Sequence, residues 1–343
     1  MSNNRYKDIL ANLEEQPKMT QDDRILLVDG LNLFIRNFTI NPSQNDNGVP
    51  IGGIKGFLLG LGAAIKHIKP TRVIICFDGK GGSARRRKIY PDYKAGRKPV
   101  MSAHGKTFSK DDTRLLMSQQ LTRLTDYLSV LPVTVMSTEN IEADDAIAYI
   151  AKQIYPESNK FIMSTDKDFL QLVDDKCCVW SPTKKVFYFR NEVEDLFGIK
   201  PENLALLRAI LGDKSDNIAG IQGAGLKTIQ KAIPSLFDDS IISIHDIFDL
   251  IEQSGSTAKV CQRILDNKDV VKINYKIMQL YDVEMSGYVR ESLMNITAKP
   301  VQSLNIVKFI QMLTEDSMFL LKNLDLWLRI VWVPIDSLRR NRT

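Results

Sequence analysis

An α/β fold, a mostly parallel sheet covered by helices on both faces and followed by a helical C-terminal part, is predicted by three observations in these 343 residues. Three short apolar runs each end in aspartate: RILLVDG from Arg24, TRVIICFDG from Thr71 and KFIMSTDKD from Lys160. Stretches of helical spacing lie between them. Beyond about Asn191 the pattern is helical only. Continuous apolar strands that alternate with helices need cover on both faces, which is the situation of a parallel sheet.

The elements follow in order. Residues 1–22 are a polar extension before the first strand. After RILLVDG comes GIKGFLLGLGAAIKHI from Gly53, apolar at helical spacing, and then the second strand. TRLLMSQQLTRLTDYLSVL from Thr113 and IEADDAIAYIAKQI from Ile141 read as the next helices, and CCVWS with KVFYF as a closing hairpin. PENLALLRAIL and IISIHDIFDLIEQ belong to the helical part. The predicted organisation is an extension at 1–22, an α/β domain at 23–190 with a basic segment at 79–112, a helical domain at 191–270 and a further helical region at 271–343.

Composition excludes several classes. Cys76, Cys177, Cys178 and Cys261 form no CxxC pair, so neither a zinc site nor a disulfide framework is suggested. No apolar run approaches the roughly 18 residues of a membrane span, and the start lacks a signal-peptide core. A cytoplasmic protein without a membrane partner is expected. Three histidines and no nucleophile elbow leave little for a Ser or Cys triad. A net charge of +5 permits a polyanionic partner without demanding one.

Nine acids fall where one site could collect them: Asp29, Asp78, Glu142, Asp144, Asp145, Asp166, Asp168, Asp213 and Asp216. In an open α/β sheet the loops at the carboxyl ends of the strands form the ligand site, and Asp29, Asp78 and Asp166 arrive there. Glu142 and Asp145 share a helical face, as their spacing of three dictates. So many carboxylates repel one another unless cations neutralise them, and oxygen ligands without His or Cys select Mg2+ or Mn2+. Two such ions about 4 Å apart are a standard device for displacement at phosphorus. A phosphodiesterase is expected.

From Gly79 to Lys110 the chain carries Arg85, Arg86, Arg87, Lys88, Lys94, Arg97 and Lys98, with Tyr90 and Tyr93 interleaved. The segment springs from the strand end that bears Asp78, so its cations would stand over the acids and hold phosphates while bases stack on tyrosine rings. A second phosphate-seeking feature lies beside Asp213 and Asp216. There Gly220, Gly223 and Gly225, followed by Lys227, let the backbone approach a phosphate closely.

The motifs LLVDGLN, CFDG, RRKIYPDYKAGR, IEADD, STDKDFLQL and GDKSDNIAGIQGAGLKTI resemble, in order and spacing, those of the 5' nucleases. That family includes flap endonucleases, bacteriophage 5'-3' exonucleases, the T-even phage RNase H and the 5'-nuclease domain of bacterial DNA polymerase one. The resemblance covers Arg24 to about Ile233, and the length is most like a phage replication nuclease. It implies a PIN-like sheet, a helical arch made by the basic segment, and a helix-three-turn-helix element around the glycines. It also implies metal-ligand roles for the nine acids, catalytic contact with the scissile phosphate by Lys94 and Arg86, and K+ at the glycine hairpin. The expected reaction is metal-dependent 5'-3' exonuclease and 5'-flap endonuclease hydrolysis of RNA primers and DNA flaps in replication. Expected partners are DNA and RNA-DNA duplexes with 5' ends or flaps, acted on by a monomer. A single-strand-binding protein or sliding clamp is a further candidate, although the ending SLRRNRT does not resemble the usual clamp peptide. The alternatives are a non-catalytic nucleic-acid-binding replication factor, which would lack one or more of the acids, and a PIN-type endoribonuclease, which would lack the arch and the glycine loop.

Overall fold

The computed structural model describes residues 23–104 and 108–340, and the extension expected at 1–22 lies outside the described residues. The strands, numbered along the chain, are Arg24–Asp29 (β1), Arg72–Phe77 (β2), Thr134–Ser137 (β3), Asn159–Met163 (β4), Cys177–Ser181 (β5) and Val186–Tyr188 (β6). They form one sheet in the order β3-β2-β1-β4-β5-β6. β1 to β5 pair in parallel, whereas β6 runs antiparallel to β5 with Val179 opposite Tyr188, which is the hairpin expected from CCVWS and KVFYF. β1 is central, and its Ile25, Leu26, Leu27 and Val28 are all fully buried because both faces are covered.

Alternation along each strand divides the core into two layers. Leu26 and Val28 face helices Gly30–Ile40, Gly52–Ile68 and Lys110–Leu128. Ile25 and Leu27 face the other layer, made by Ala143–Tyr149 and its continuation to Ile154, Pro201–Leu211 and the helices that follow. The short edge strand β3 lay below the sequence signal, since Met136 is its one buried residue.

The boundaries drawn at 190 and 270 cut across continuous cores. Ile25 and Ile74 of the sheet belong to the same apolar cluster as Leu207, Ile247 and Leu293. The last helices return to the opposite face, where Phe309 and Trp332 pack among sheet and helix residues such as Leu26 and Phe57. Arg123 Nε donates to Asp316 Oδ2 at 2.8 Å, and the Tyr127 hydroxyl donates to the same oxygen at 2.7 Å. The C-terminal region is therefore part of the α/β body.

Candidate active site

Most of the acids are placed by a local rule. Asp29 closes β1 and caps the helix that begins at Gly30, its Oδ1 accepting from Asn32 N–H at 3.1 Å and its Oδ2 from the Ser164 hydroxyl at 3.0 Å. Asp78 follows β2 and accepts from Ala143 N–H at 2.8 Å, which ties the second strand end to the IEADD helix. Glu142 precedes that helix, and Asp144 and Asp145 lie in its first turn, where the macrodipole favours negative charge. Asp166 caps the short 3-10 turn Lys167–Leu172 by accepting from Asp168 N–H at 2.9 Å. Asp213 Oδ1 accepts from Ser215 N–H and hydroxyl at 2.7 and 2.6 Å.

Cations of the chain stand among these acids. The Arg86 side chain, on the six-residue helix Ala84–Ile89, is 2% exposed. It ion-pairs with Glu142, places Nη2 at 2.7 Å from Asp145 Oδ1 and at 3.2 Å from Asp144 Oδ2, and donates from Nε to Ile277 O at 2.9 Å. Arg85 approaches Asp145 at 3.3 Å. Lys94 Nζ donates to Glu142 Oε1 at 2.6 Å, and the Tyr93 hydroxyl to Glu142 Oε2 at 3.0 Å. Arg97 pairs with Asp216. Arg208 Nη2 lies 2.6 Å from Asp168 Oδ1 and 2.7 Å from Asp213 Oδ2.

No motif or spacing singles out Arg208. It sits five positions before Asp213 on the helix Pro201–Leu211, and an arginine there was legible only as a helix-end cation.

The electrostatics follow from burial set against these partners. Burial pushes the Asp29 carboxyl up to about 7, against the hydrogen bonds from Asn32 and Ser164 and with Asp166 and Asp78 adding to the shift. Burial does the same for Asp168, also to about 7, with Asp166 reinforcing it and Arg208 opposing it. Burial alone would raise Glu142, but Arg86 and Lys94 outweigh it and hold the carboxyl below its usual range. Burial likewise opposes ionised Lys94, yet Glu142 and Asp144 keep its ammonium above the ordinary value.

The triple arginine is resolved: Arg86 is buried, Arg85 partly covered, and Arg87 and Lys88 exposed. Arg97 and Lys98 are exposed as well. Tyr93, expected to offer its ring to bases, is 3% exposed, because its hydroxyl is drawn to Glu142 and its ring lies under Lys94 with the ammonium 4.9 Å from the centroid.

The glycines form a separate element between helices Pro201–Leu211 and Leu226–Ala232. Gly223 has φ +81°, and a Cβ there would meet Arg263 Nη1 at 2.8 Å. Arg263 Nη1 itself donates to Gln222 O at 2.9 Å. At Gly220 the requirement is internal packing, since a Cβ would lie 2.0 Å from Leu211 O. Gly223, Lys227, Lys231, Lys259 and Arg263 line an open cavity of about 410 Å³.

Among the described residues no three His, Cys, Asp or Glu side chains already stand as a coordination shell, since arginine and lysine groups hold the space between the acids. The donor set nevertheless suits a hard divalent ion: it is all oxygen, and Asp168 Oδ1 is buried with no hydrogen bond, meeting Arg208 only as an ion pair.

An acidic edge that needs cations, overhung by cations suited to phosphate, has its use in cutting phosphodiesters, and the class so defined is that of the nucleases. A model of the 5'-3' exonuclease N-terminal, resolvase-like domain matches residues 24–198, and the chain belongs to the 5'-3' exonuclease family. A 5'-3' exonuclease of Aquifex aeolicus (strain VF5) is 28% identical over 267 residues, 76% of this chain and 84% of that protein. The flap endonuclease Xni of Shewanella woodyi is 29% identical over 260 residues, 74% of this chain and 92% of that protein. The D15 protein of bacteriophage T5, co-crystallised with metal ions, superposes with a TM-score of 0.62 at 20% identity, over 86% of this chain and 99% of that one. This last likeness is one of fold.

Proposed function

We propose that this 5' nuclease hydrolyses RNA primers and 5' DNA flaps during replication, using divalent ions held by the nine acids. The observation that carries the reading is the convergence of Arg86 and Lys94 on Glu142 at the carboxyl edge of the sheet. Asp29, Asp78, Glu142, Asp144, Asp145, Asp166, Asp168, Asp213 and Asp216 would hold two Mg2+ or Mn2+. Bound there, such ions lower the pKa of an attacking water and stabilise charge that builds on the phosphate.

The residues of the chain supply the rest. Lys94 reaches Glu142 now, and with a substrate on the acids the same side chain can swing to a phosphate oxygen and stabilise its developing charge. Arg86 would do so only after leaving three carboxylates, which makes Lys94 the readier of the two. Arg85, Arg87, Lys88, Arg97 and Lys98 would hold the single-stranded 5' portion. Gly223, Gly225 and Lys227, with their neighbours around the cavity, would grip the duplex by phosphate contacts. A K+ ion at the hairpin would share that turn with the Arg263 guanidinium. The proposed partners are duplexes with free 5' ends or flaps, cut by a monomer, with a single-strand-binding protein or clamp as replication partner.

The substrate class is tested with 5'-labelled flap duplex, RNA-DNA hybrid and a covalently closed duplex in Mg2+. Cleavage of the first two from the 5' end, and none of the closed circle, is expected. Equal cleavage of the closed circle would contradict a 5' nuclease.

A further inference from the structure

The segment that carries Lys94 is fastened to the loop that leads into the glycine hairpin. Lys94 N–H donates to Asp216 O at 2.8 Å. Arg97 Nε donates to Ser215 O at 3.2 Å, and its guanidinium pairs with the Asp216 carboxylate. Asn217 Nδ2 donates to Asp92 O at 3.0 Å. Beneath these bonds Tyr93 packs with Ile218, Ile277 and Met278 in a small apolar cluster of its own. The loop is closed at its base, where Asp213 and Ile218 exchange backbone hydrogen bonds of 2.9 and 2.7 Å.

Both sides of this junction are held in the left-handed region, Lys94 at φ +59° and Asn217 at φ +59°. A lysine pays for that conformation in strain, so it persists only where its surroundings fix it. What fixes it here is the turn closed by Ala95 N–H donating to Asp92 O at 2.9 Å, clamped from the facing loop by two bonds on either side of Tyr93: the Asn217 amide donates to Asp92 O, and Lys94 N–H to Asp216 O. Asn217 is exposed, belongs to no core and tolerates positive φ, so its side chain has this one bond as its visible structural task.

We infer that Asn217 is a positioning residue for Lys94. Its amide holds the backbone at Asp92, so that the Lys94 ammonium, free to turn about its own side-chain bonds, starts from one place above the acidic edge. The same loop continues directly into the hairpin, so the grip on the duplex and the placement of the catalytic cation share one piece of backbone. The inference rests on the proposed contact between Lys94 and the scissile phosphate.

The test is a cycle of Asn217→Gly, Lys94→Ala and the double variant. Glycine keeps the left-handed backbone and removes only the amide. Single-turnover rate and KM are measured on a 5'-flap duplex at saturating Mg2+, and divalent-ion affinity is measured by calorimetry without DNA. Asn217→Gly alone is expected to slow turnover about tenfold, the value of one hydrogen bond lost from a transition-state arrangement. KM should stay within about twofold and ion affinity should not change. In the Lys94→Ala background the same substitution should slow nothing further, since the two act as one unit. An equal slowing in both backgrounds, or none in the wild-type background, overturns the inference while Lys94 keeps its role. Wild-type turnover by Lys94→Ala removes that role and the inference with it.

Discussion

The Arg86 guanidinium meets the Asp145 carboxylate edge to edge, Nη2 to Oδ1 at 2.7 Å and Nη1 to Oδ2 at 2.9 Å, and each side chain is 2% exposed. Glu142 and Asp144 touch the same guanidinium, so one buried cation serves three carboxylates. A divalent ion and Arg86 would therefore seek the same oxygens.

Arg86→Met leaves those acids with only Lys94 on Glu142 and Arg85 beside Asp145 to offset them. Removing one partner of a buried ion pair costs about 3–5 kcal/mol. In chelator the variant should melt well below the wild type, and saturating Mn2+ should raise its melting temperature more than it raises the wild type's. An equal rise in both proteins would show that the ion and Arg86 do not share the site.

Lys94→Ala addresses the chemical step. The Lys94 ammonium reaches Glu142 at 2.6 Å and lies within the same acidic cluster. Loss of a cation that acts on the developing charge should lower turnover about 100-fold to 1000-fold, with KM for a flap duplex nearly unchanged. A raised KM at normal turnover would make Lys94 a binding residue only.

The pH dependence of stability follows from Asp29, whose carboxyl is pushed up to about 7 by burial. Because its folded pKa lies above the unfolded value of about 4, the folded protein keeps this proton longer than the unfolded chain. Its contribution to stability thus falls as pH rises from about 4 to about 7 and stays low above that. Asp29→Asn preserves an acceptor for Asn32 N–H and does not titrate. In chelator its melting temperature should exceed the wild type's by a margin that widens between about pH 4 and about pH 7 and is level above that. A constant margin would deny that Asp29 is the titrating group.

Gly223→Val separates gripping from cutting. At φ +81°, with Arg263 Nη1 2.8 Å from the new Cβ, valine cannot keep the turn. Duplex affinity measured by fluorescence anisotropy should fall about tenfold or more, while divalent-ion affinity in calorimetry stays at the wild-type value. The reverse pattern would place the hairpin within the metal site.

Much of the candidate site's placement was legible because strand ends write themselves into sequence. An apolar run that stops at aspartate gives both the strand and the carboxylate, and Asp29, Asp78 and Asp166 follow that rule. IEADD was equally legible, since acids in a first helical turn share one end. Three things besides Arg208 were not. The register of the triple arginine depends on which side chain can reach Glu142 across the fold, and spacing alone does not say. Tyr93 reads as an exposed aromatic amid charge, but its hydroxyl finds a buried carboxylate. The return of the C-terminal helices onto the sheet layer rests on long-range partners such as Arg123 and Asp316, which no local pattern pairs.

The central claim, that the acidic edge works through divalent ions to cut from a 5' end, is tested most directly by single-turnover cleavage of a 5'-labelled flap duplex across a Mg2+ titration. With chelator present no product should form. The rate should then rise with Mg2+ more steeply than first order as two ions fill, yielding short 5'-labelled products. Cleavage undiminished by chelator, or its absence at saturating Mg2+, would contradict the account.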